Sequence, residues 1–303
     1  MSTVRRRFIA PVSFGLGDLV VSLPVVQAAV SVGRSSGTET WLVTRSPVQV
    51  ALAERISGLA GTVGEGDPAI NPETLIDLRD HPLQRDHWWG TPEFAAAYGS
   101  LSINEIVGRI GADFGVVGDF SAPIPLEVRD PSDAEGLVLF VADTDGTAKR
   151  WASERWVELA AALECRGLDV AVVTRGEGGN PLVDLGIAGV VAATPGDAVD
   201  VLSGCRAVVG VDTGLTHIAA QQGTPSVSLC RTPAVYFRGW DHTRLVAGSG
   251  CDPVCRRAER AYAYNQRVDL SGLHLAPRVC PAGVGCLDGI EPGAVVKALS
   301  ELC

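Results

Sequence analysis

Residues 205–230, CRAVVGVDTGLTHIAAQQGTPSVSLC, constrain the fold more than any other stretch of this sequence. Residues 206–211 form a short apolar, β-branched run, which is typical of a buried parallel strand. A turn at 212–214 interrupts this run, apolar residues then recur at helical spacing, and a second turn at 223–225 precedes another apolar run. The pattern predicts a strand–turn–helix–strand unit, which is the building block of a parallel α/β sheet.

The turn in this unit predicts an anion-binding site. A helix that starts at Thr213 and Gly214 leaves backbone N–H groups unpaired at the carboxyl edge of the sheet, and such groups bind anions. Gly214 allows a ligand to approach the backbone closely. Thr213 offers a hydroxyl donor, and His217 lies one turn later, facing the same edge. An ordinary capped helix with His217 as a hydrogen-bonded polar residue explains the same residues equally well.

A second candidate site follows the strand predicted at 7–12. The turn Gly15-Leu16-Gly17 resembles the start of a dinucleotide fingerprint, but Val20 occupies the position of its third glycine, so the indication of a bound dinucleotide is weak. Asp18 lies at the start of the helix predicted at 19–32, on the carboxyl edge where open α/β sheets bind ligands. A helix-capping carboxylate is the alternative role for Asp18.

Strands and helices alternate along the rest of the chain. We predict further strands at 40–44, 75–78, 137–142, 169–174 and 189–192, and helices at 47–57, 104–110, 153–165, 181–185 and 196–203, with Ser153 as an N-cap. The Pro-, Ser- and Asp-rich stretch at 121–133 marks a boundary between two domains, 1–128 and 129–303. Two such alternations predict two Rossmann-like domains that face each other across a cleft.

Composition and charge limit the possible partners. The 303 residues are 46% hydrophobic and 20% charged, which is globular composition with room for two domains. The net charge of −10 argues against binding to nucleic acid or to an anionic membrane, so any phosphate requires a local site. No run of apolar residues reaches the length of a membrane span. We therefore expect a cytoplasmic protein without an integral membrane segment, whose eight cysteines do not form a disulfide framework.

Two clusters of charged residues precede the helix at 153–165. Lys149 and Arg150 follow another strand, where they would supply cations to the anion site at Thr213, although two basic residues in a turn are more often solvated. Asp143-Thr144-Asp145 matches the DxD motif by which some enzymes hold a metal and a diphosphate. The motif is short and occurs often by chance, so we do not expect a metal there.

The remaining candidates are aromatic and sulfur-containing residues. The pair Trp88-Trp89 in a loop suits stacking on a sugar or a flat acceptor, and a lid over the core explains it equally well. Cys251 and Cys255 have the spacing of a zinc pair, whereas Cys280 and Cys286 do not. Thiols are therefore favoured over a metal site in this segment.

Three segments in order resemble glycosyltransferase family 9, the heptosyltransferase group: GLGDLVVSLPVVQAAV, KRWASERWVELAAAL and SGCRAVVGVDTGLTHIAAQQGTPSVSL. The resemblance implies a GT-B fold whose C-terminal domain holds a nucleotide diphosphate sugar, the donor substrate, with no other cofactor. It implies that Asp18 is the general base and that Lys149 binds phosphate. It also implies that Thr213, Gly214 and His217, preceded by Asp212, hold the diphosphate at a helix start.

The resemblance implies an inverting, metal-independent transfer of a sugar to an acceptor hydroxyl or other nucleophile. The resemblance also implies a heptose-like donor sugar that is carried on ADP. We expect the acceptor to be a sugar or a small molecule. The N-terminal domain is shorter than in most members, which argues against a lipopolysaccharide acceptor. A nucleotide-sugar epimerase of the same architecture is the alternative enzyme, although the sequence shows no second carboxylate beside Asp18. A nucleotide-binding module without activity remains open if Asp18 faces away from the cleft.

Overall fold

The computed structural model of this chain describes residues 5–13, 15–81, 96, 100–130, 134–144, 149–176, 179–230, 237, 239–248 and 287–303. The strands in these segments form two parallel β-sheets with helices packed against them. Of the sequence-based candidates, the Trp88-Trp89 pair, Asp145 and four cysteines lie outside the described residues: Cys251, Cys255, Cys280 and Cys286.

The first sheet contains four parallel strands in the order β3-β2-β1-β4. The strands are β1 (Arg5–Ala10), β2 (Thr38–Thr44), β3 (Gly61–Gly64) and β4 (Leu75–Asp77). The helices of this half are α1 (Leu16–Ser36), α2 (Pro47–Ala53) and α3 (Ile103–Asp113), with 3₁₀ turns at Pro72–Thr74 and Leu78–Asp80. The chain thus folds as a βα alternation whose helix starts lie at the carboxyl edge of the sheet.

The second sheet contains six parallel strands in the order β10-β9-β8-β5-β6-β7. The strands are β5 (Val138–Val141), β6 (Val170–Thr174), β7 (Ala188–Val191), β8 (Ala207–Val211), β9 (Ser226–Cys230) and β10 (Thr243–Ala247). The helices are α4 (Ser153–Glu164), α5 (Pro181–Asp184), α6 (Pro195–Gly204), α7 (Gly214–Gln221) and α8 (Pro292–Ser300). Strands β5, β6, β8 and β9 are buried along their whole length, as expected where both faces are covered.

Helix α1 is the central helix of the first half, and it corrects one prediction. Among the described residues it is the one helix that is long and apolar enough to cross a membrane, with a mean hydropathy of 1.6. The helix reaches this length and average hydropathy although Asp18 and Pro24 lie within it, so its apolar residues do not form one uninterrupted run. In the structure 61% of this apolar stretch is buried against the rest of the protein, and α1 packs on β2, α3 and α7.

The other predicted elements are present, with boundaries shifted by a few residues. Strands β3 and β10 and helix α8 were not predicted. Ser153 is the first helical residue of α4, and Ala152 is its N-cap, so the predicted capping role of Ser153 is wrong. The domain boundary at 128/129 stays a prediction.

The two halves are joined by buried polar contacts as well as by apolar packing. One hydrophobic cluster contains residues from both halves, including Leu19 on α1 and Ile218 on α7. Within this contact, Asn104 and Gln221 exchange hydrogen bonds, the shorter of them 2.7 Å from Gln221 Nε2 to Asn104 Oδ1. Both side chains are almost fully buried, at 0% and 2% exposure. The halves therefore meet along a specific, hydrogen-bonded surface.

Candidate active site

Helices α1 and α7 begin next to each other, at the carboxyl edges of their two sheets. A Cβ atom placed on Gly17 would lie 3.1 Å from His217 Cδ2 and 3.6 Å from Gly214 Cα. A Cβ atom on Gly214 would lie 2.8 Å from both Cβ and Cγ of Leu16. A side chain at Gly214 would require Leu16 to shift, and one at Gly17 would crowd His217. The two turns that the sequence singled out separately form one site.

This contact adds a second reason for Gly214 beyond the one inferred from sequence. The sequence suggested that Gly214 gives a ligand access to the backbone. In the structure the position also faces Leu16 so closely that any larger residue would push α1 away from α7. A bulky substitution at Gly214 would therefore disturb the helix contact together with ligand binding.

Lys149, Asp212 and His217 form a connected group at the start of α7. Lys149 Nζ donates to Asp212 Oδ2 at 2.7 Å and to the Asp212 carbonyl oxygen at 3.2 Å. His217 Nε2 lies 3.3 Å from Asp212 Oδ1. Asp212 follows β8 directly, so the strand end fixes the carboxylate that orients both basic groups.

The charge on Asp212 is stabilised by its two neighbours. Loss of solvation would raise the pKa of this carboxyl group, but the charge of Lys149, followed by the hydrogen bond and charge of His217, outweighs it. The pKa of Asp212 is therefore held well below its usual range. An ionised Asp212 with both oxygens bonded can orient Lys149 and His217, but it cannot readily take up a proton.

Thr213 contributes an unpaired hydroxyl group. It is the N-cap residue of α7, yet its side chain makes no capping hydrogen bond. Its Oγ1 atom is buried and has no hydrogen-bond partner in the described part of the chain. Buried hydroxyl groups are normally paired. The hydroxyl of Thr213 and the free N–H groups at the start of α7 therefore fit an oxyanion ligand such as a diphosphate.

Asp18 lies on α1 and acts both as a cap and as part of the site. The Gly15 N–H donates to Asp18 Oδ2 at 2.9 Å, whereas Oδ1 has no hydrogen-bond partner among the described residues. Loss of solvation raises the pKa of Asp18, and the charge on Asp212 raises it further. The Gly15 N–H and the charges of His217 and Lys149 partly offset this. The charges of Lys149, Asp212 and His217, which we call the α7 group, thus influence the pKa of Asp18.

The sequence shows no second carboxylate beside Asp18, but in the structure the charge of Asp212 acts on the pKa of Asp18. The sequence could not show this proximity, since the two residues belong to different sheets. Both Asp212 oxygens are already bonded to basic groups, so the two carboxylates have different chemistry. Asp18 is the one suited to accept a proton.

Arg150 is the predicted site residue that the structure does not bring into this group. It is exposed, and no hydrogen bond or ion pair among the described residues joins it to Asp18 or Asp212. Its charge acts instead on Asp143, whose pKa is raised by loss of solvation and lowered in part by Arg175, Arg150 and a 3.2 Å hydrogen bond from Asn180. The described residues contain no cluster of three or more His, Cys, Asp or Glu side chains that could hold a metal ion.

Phe237 belongs to the site and was missed from the sequence. Its ring stacks on His217 with centroids 4.5 Å apart and an interplanar angle of 26°, and His217 is only 8% exposed. This stacking fixes the plane of the imidazole. No local pattern around Phe237 indicates the contact, because the residue lies 20 positions along the chain from His217 and outside any repeating element.

Comparison with known proteins shows similarity to one enzyme family in sequence and in fold. Residues 126–261 match glycosyltransferase family 9 (heptosyltransferase) in sequence. No curated protein is similar enough in sequence to match. In fold, the chain resembles a family 9 glycosyl transferase from Veillonella parvula DSM 2008, with a TM-score of 0.65 at 13% identity over 98% of this chain and 97% of that one.

Two Escherichia coli structures are similar over almost the whole of this chain. Heptosyltransferase WaaC, solved with ADP-2-deoxy-2-fluoro heptose, has a TM-score of 0.60 at 16% identity, covering 98% of this chain and 100% of that one. The iron-containing dodecameric glycosyltransferase TibC from enterotoxigenic E. coli H10407 has a TM-score of 0.60 at 16% identity, covering 99% and 77%. This chain is therefore a glycosyltransferase with the GT-B fold, and its residues 126–261 match the sequence model of glycosyltransferase family 9.

Proposed function

We propose that this chain is an inverting, metal-independent glycosyltransferase that moves a heptose-like sugar from an ADP-sugar to a nucleophile, most simply a hydroxyl group, of a sugar or small-molecule acceptor. The observation that carries the proposal is the contact between two helix starts, one bearing Asp18 and the other bearing the unpaired Thr213 hydroxyl. The ADP-heptose analogue bound by WaaC supports the choice of donor. We place the enzyme in the cytoplasm, without an integral membrane segment or a nucleic-acid partner.

The reaction follows from the positions of these groups. Asp18 takes the proton from the acceptor hydroxyl as its oxygen attacks the anomeric carbon. The bond from that carbon to the diphosphate oxygen breaks on the opposite face, so the configuration inverts. The leaving diphosphate gains negative charge, which the N–H groups at the start of α7, the Thr213 hydroxyl and Lys149 stabilise. Each of these steps uses groups that the chain itself provides.

The epimerase alternative is less well supported by the site. An epimerase needs acid–base groups that act on the donor sugar itself. Asp212 is the second carboxylate near Asp18, but its pKa is held low and its oxygens are bonded to Lys149 and His217. It is therefore poorly suited to carry a proton to and from a sugar. A module without activity is also disfavoured, because the charges of Lys149, Asp212 and His217 act on Asp18.

The proposal is tested by incubating the protein with ADP-heptose and a panel of sugar and small-molecule acceptors, in excess chelator. We expect release of ADP together with a glycosylated acceptor, and an anomeric configuration opposite to that of the donor by NMR. UDP- and GDP-sugars are tested in parallel as alternative donors, to compare with ADP-heptose. Isomerisation of the sugar without an acceptor would instead identify an epimerase. Activity that chelator abolishes and magnesium restores would contradict the metal-free mechanism.

Replacement of Lys149 by Met tests its contact with the leaving group. Because the hydrogen bond to a charged diphosphate is lost, we expect ADP affinity and turnover each to fall about ten- to a hundredfold. Lys297, the other lysine of the chain, is exposed on α8 and gives the matched control Lys297→Met. Titration calorimetry with ADP and steady-state kinetics measure both effects. A change confined to the acceptor KM would show that Lys149 does not contact the donor.

A further inference from the structure

The loop between β1 and α1 is held by two fully buried polar side chains, Ser22 and Gln49. Ser22 Oγ accepts a hydrogen bond from Val12 N at 3.0 Å and donates one to the carbonyl oxygen of Asp18 at 2.7 Å. Ser22 belongs to the same helix as Asp18, and it joins that helix to Val12 in the loop. Gln49 belongs to α2 and reaches the loop from a separate element.

Gln49 uses its whole amide group in these contacts. Its Nε2 donates to the carbonyl oxygens of Ser13 and Gly15 at 3.1 and 3.2 Å. Its Oε1 accepts from Arg45 N at 3.0 Å. Rotating the amide by 180° would place an oxygen against two carbonyl oxygens and an NH₂ group against an N–H, so these partners fix its orientation. Gln49 therefore ties the loop rigidly to the start of α2.

The loop position in turn determines where Asp18 lies. Gly15 is the N-cap of α1, and its N–H donates to Asp18 Oδ2 at 2.9 Å. A Cβ atom on Gly15 would lie only 2.8 Å from the same oxygen, so carboxylate and backbone are in close contact. Gln49 holds the carbonyl side of Gly15, and Asp18 binds its N–H side. A shift of Gly15 would therefore move or release the carboxylate.

We propose that Gln49 is a positioning residue for the transfer reaction, which fixes Gly15 so that one Asp18 oxygen is held and the other faces the acceptor. This inference rests on the proposed role of Asp18 as the base. Gln49 itself touches no substrate in this arrangement. A residue that only stabilised the fold would affect unfolding without changing the properties of Asp18.

The test compares Gln49→Met with Gln27→Met in the full-length protein. Methionine keeps the volume of Gln49 but removes the amide. The side chain of Gln27 makes a single, exposed hydrogen bond of 3.4 Å, to the Ser57 carbonyl oxygen, and does not contact the loop. We expect Gln49→Met to lower kcat by about ten- to a hundredfold, since small misplacements of a reacting group are costly. Its ADP affinity should stay within about twofold of the parent protein, because α7 is unchanged. Gln27→Met should leave both quantities unchanged.

A second measurement does not depend on activity. NMR titration of the Asp18 carboxyl group in ligand-free protein should show a higher pKa in Gln49→Met, since the Gly15 N–H that favours the ionised form is displaced. His217, Lys149 and Asp212, the charged groups that act on Asp18, are the same in both variants. Should Gln49→Met not fold, Gln49→Asn withdraws the amide by one methylene and gives the same comparison.

A folded Gln49 variant with normal kcat and an unchanged Asp18 titration would overturn the inference. The proposed function fails separately: if Asp18→Asn keeps full turnover, Asp18 is not the base. In that case a shifted Asp18 titration in Gln49→Met would still support the positional link between Gln49 and Asp18, while its role in catalysis would be disproved.

Discussion

Replacing Asp18 by Asn should reduce turnover by about two to four orders of magnitude, the usual contribution of a positioned base. ADP affinity should change little, because the donor contacts lie on α7 and Lys149. The pKa of Asp18 is raised, chiefly by loss of solvation, from its ordinary value of 3.8. A base must be ionised, so kcat/KM of the parent enzyme should fall as the pH drops through this raised pKa. In Asp18→Asn that acidic limb should disappear.

Asp197 on α6 provides a matched control for the capping role of Asp18. Both residues stand at the third helical position and accept a hydrogen bond from the N-cap N–H at 2.9 Å. The amide oxygen of Asn can accept the same hydrogen bond from the N-cap N–H. Asp197→Asn should therefore leave turnover unchanged. A folded Asp18→Asn protein that behaves like Asp197→Asn would reduce Asp18 to a cap, and the base would have to be sought elsewhere.

The sequence predicted the alternation of strands and helices well, because most strands are apolar, β-branched runs that become buried on both faces. Strand β3 was missed for a physical reason. Its sequence GTVG carries two glycines and is only half-buried, so it shows neither the alternating nor the continuous apolar pattern. Strand β10, with the sequence TRLVA, is also mostly half-buried and carries Arg244, so it shows no clear apolar pattern either.

The sequence predicted the local structure around the site residues. The turns at Gly15-Leu16-Gly17 and at 212–214 each place polar groups at a helix start, and both helices form where expected. Their mutual contact was not predictable, because it depends on how the two sheets pack. Asp212 beside Asp18, Phe237 on His217 and Gln49 on Gly15 are all contacts between distant parts of the chain.

A buried ion pair also joins distant parts of the chain. Arg55 follows α2 and forms a bidentate ion pair with Asp200 on α6, with bonds of 2.8 and 2.7 Å across the two halves. Both side chains are at least nine-tenths buried. Arg55 also donates to the Glu127 carbonyl oxygen at 3.0 Å, and Asp200 accepts from Arg129 N at 2.8 Å. We expect Arg55→Met to lower the free energy of unfolding by about 3–5 kcal/mol, because it leaves Asp200 as a buried, uncompensated charge.

Reversible urea unfolding followed by tryptophan fluorescence measures this loss. The exposed pair Arg244–Glu301, 3.3 Å apart, provides the control, and Arg244→Met should cost at most about 1 kcal/mol. The double variant Arg55→Met with Asp200→Leu should recover much of the stability, since no unpaired charge remains. The double variant should not recover the alignment of the two halves, because it lacks the guanidinium group of Arg55 and its hydrogen bond to the Glu127 carbonyl oxygen. If Arg55→Met is no less stable than Arg244→Met, the ion pair does not stabilise the contact between the two halves, which then depends on apolar packing and on the Asn104–Gln221 hydrogen bonds.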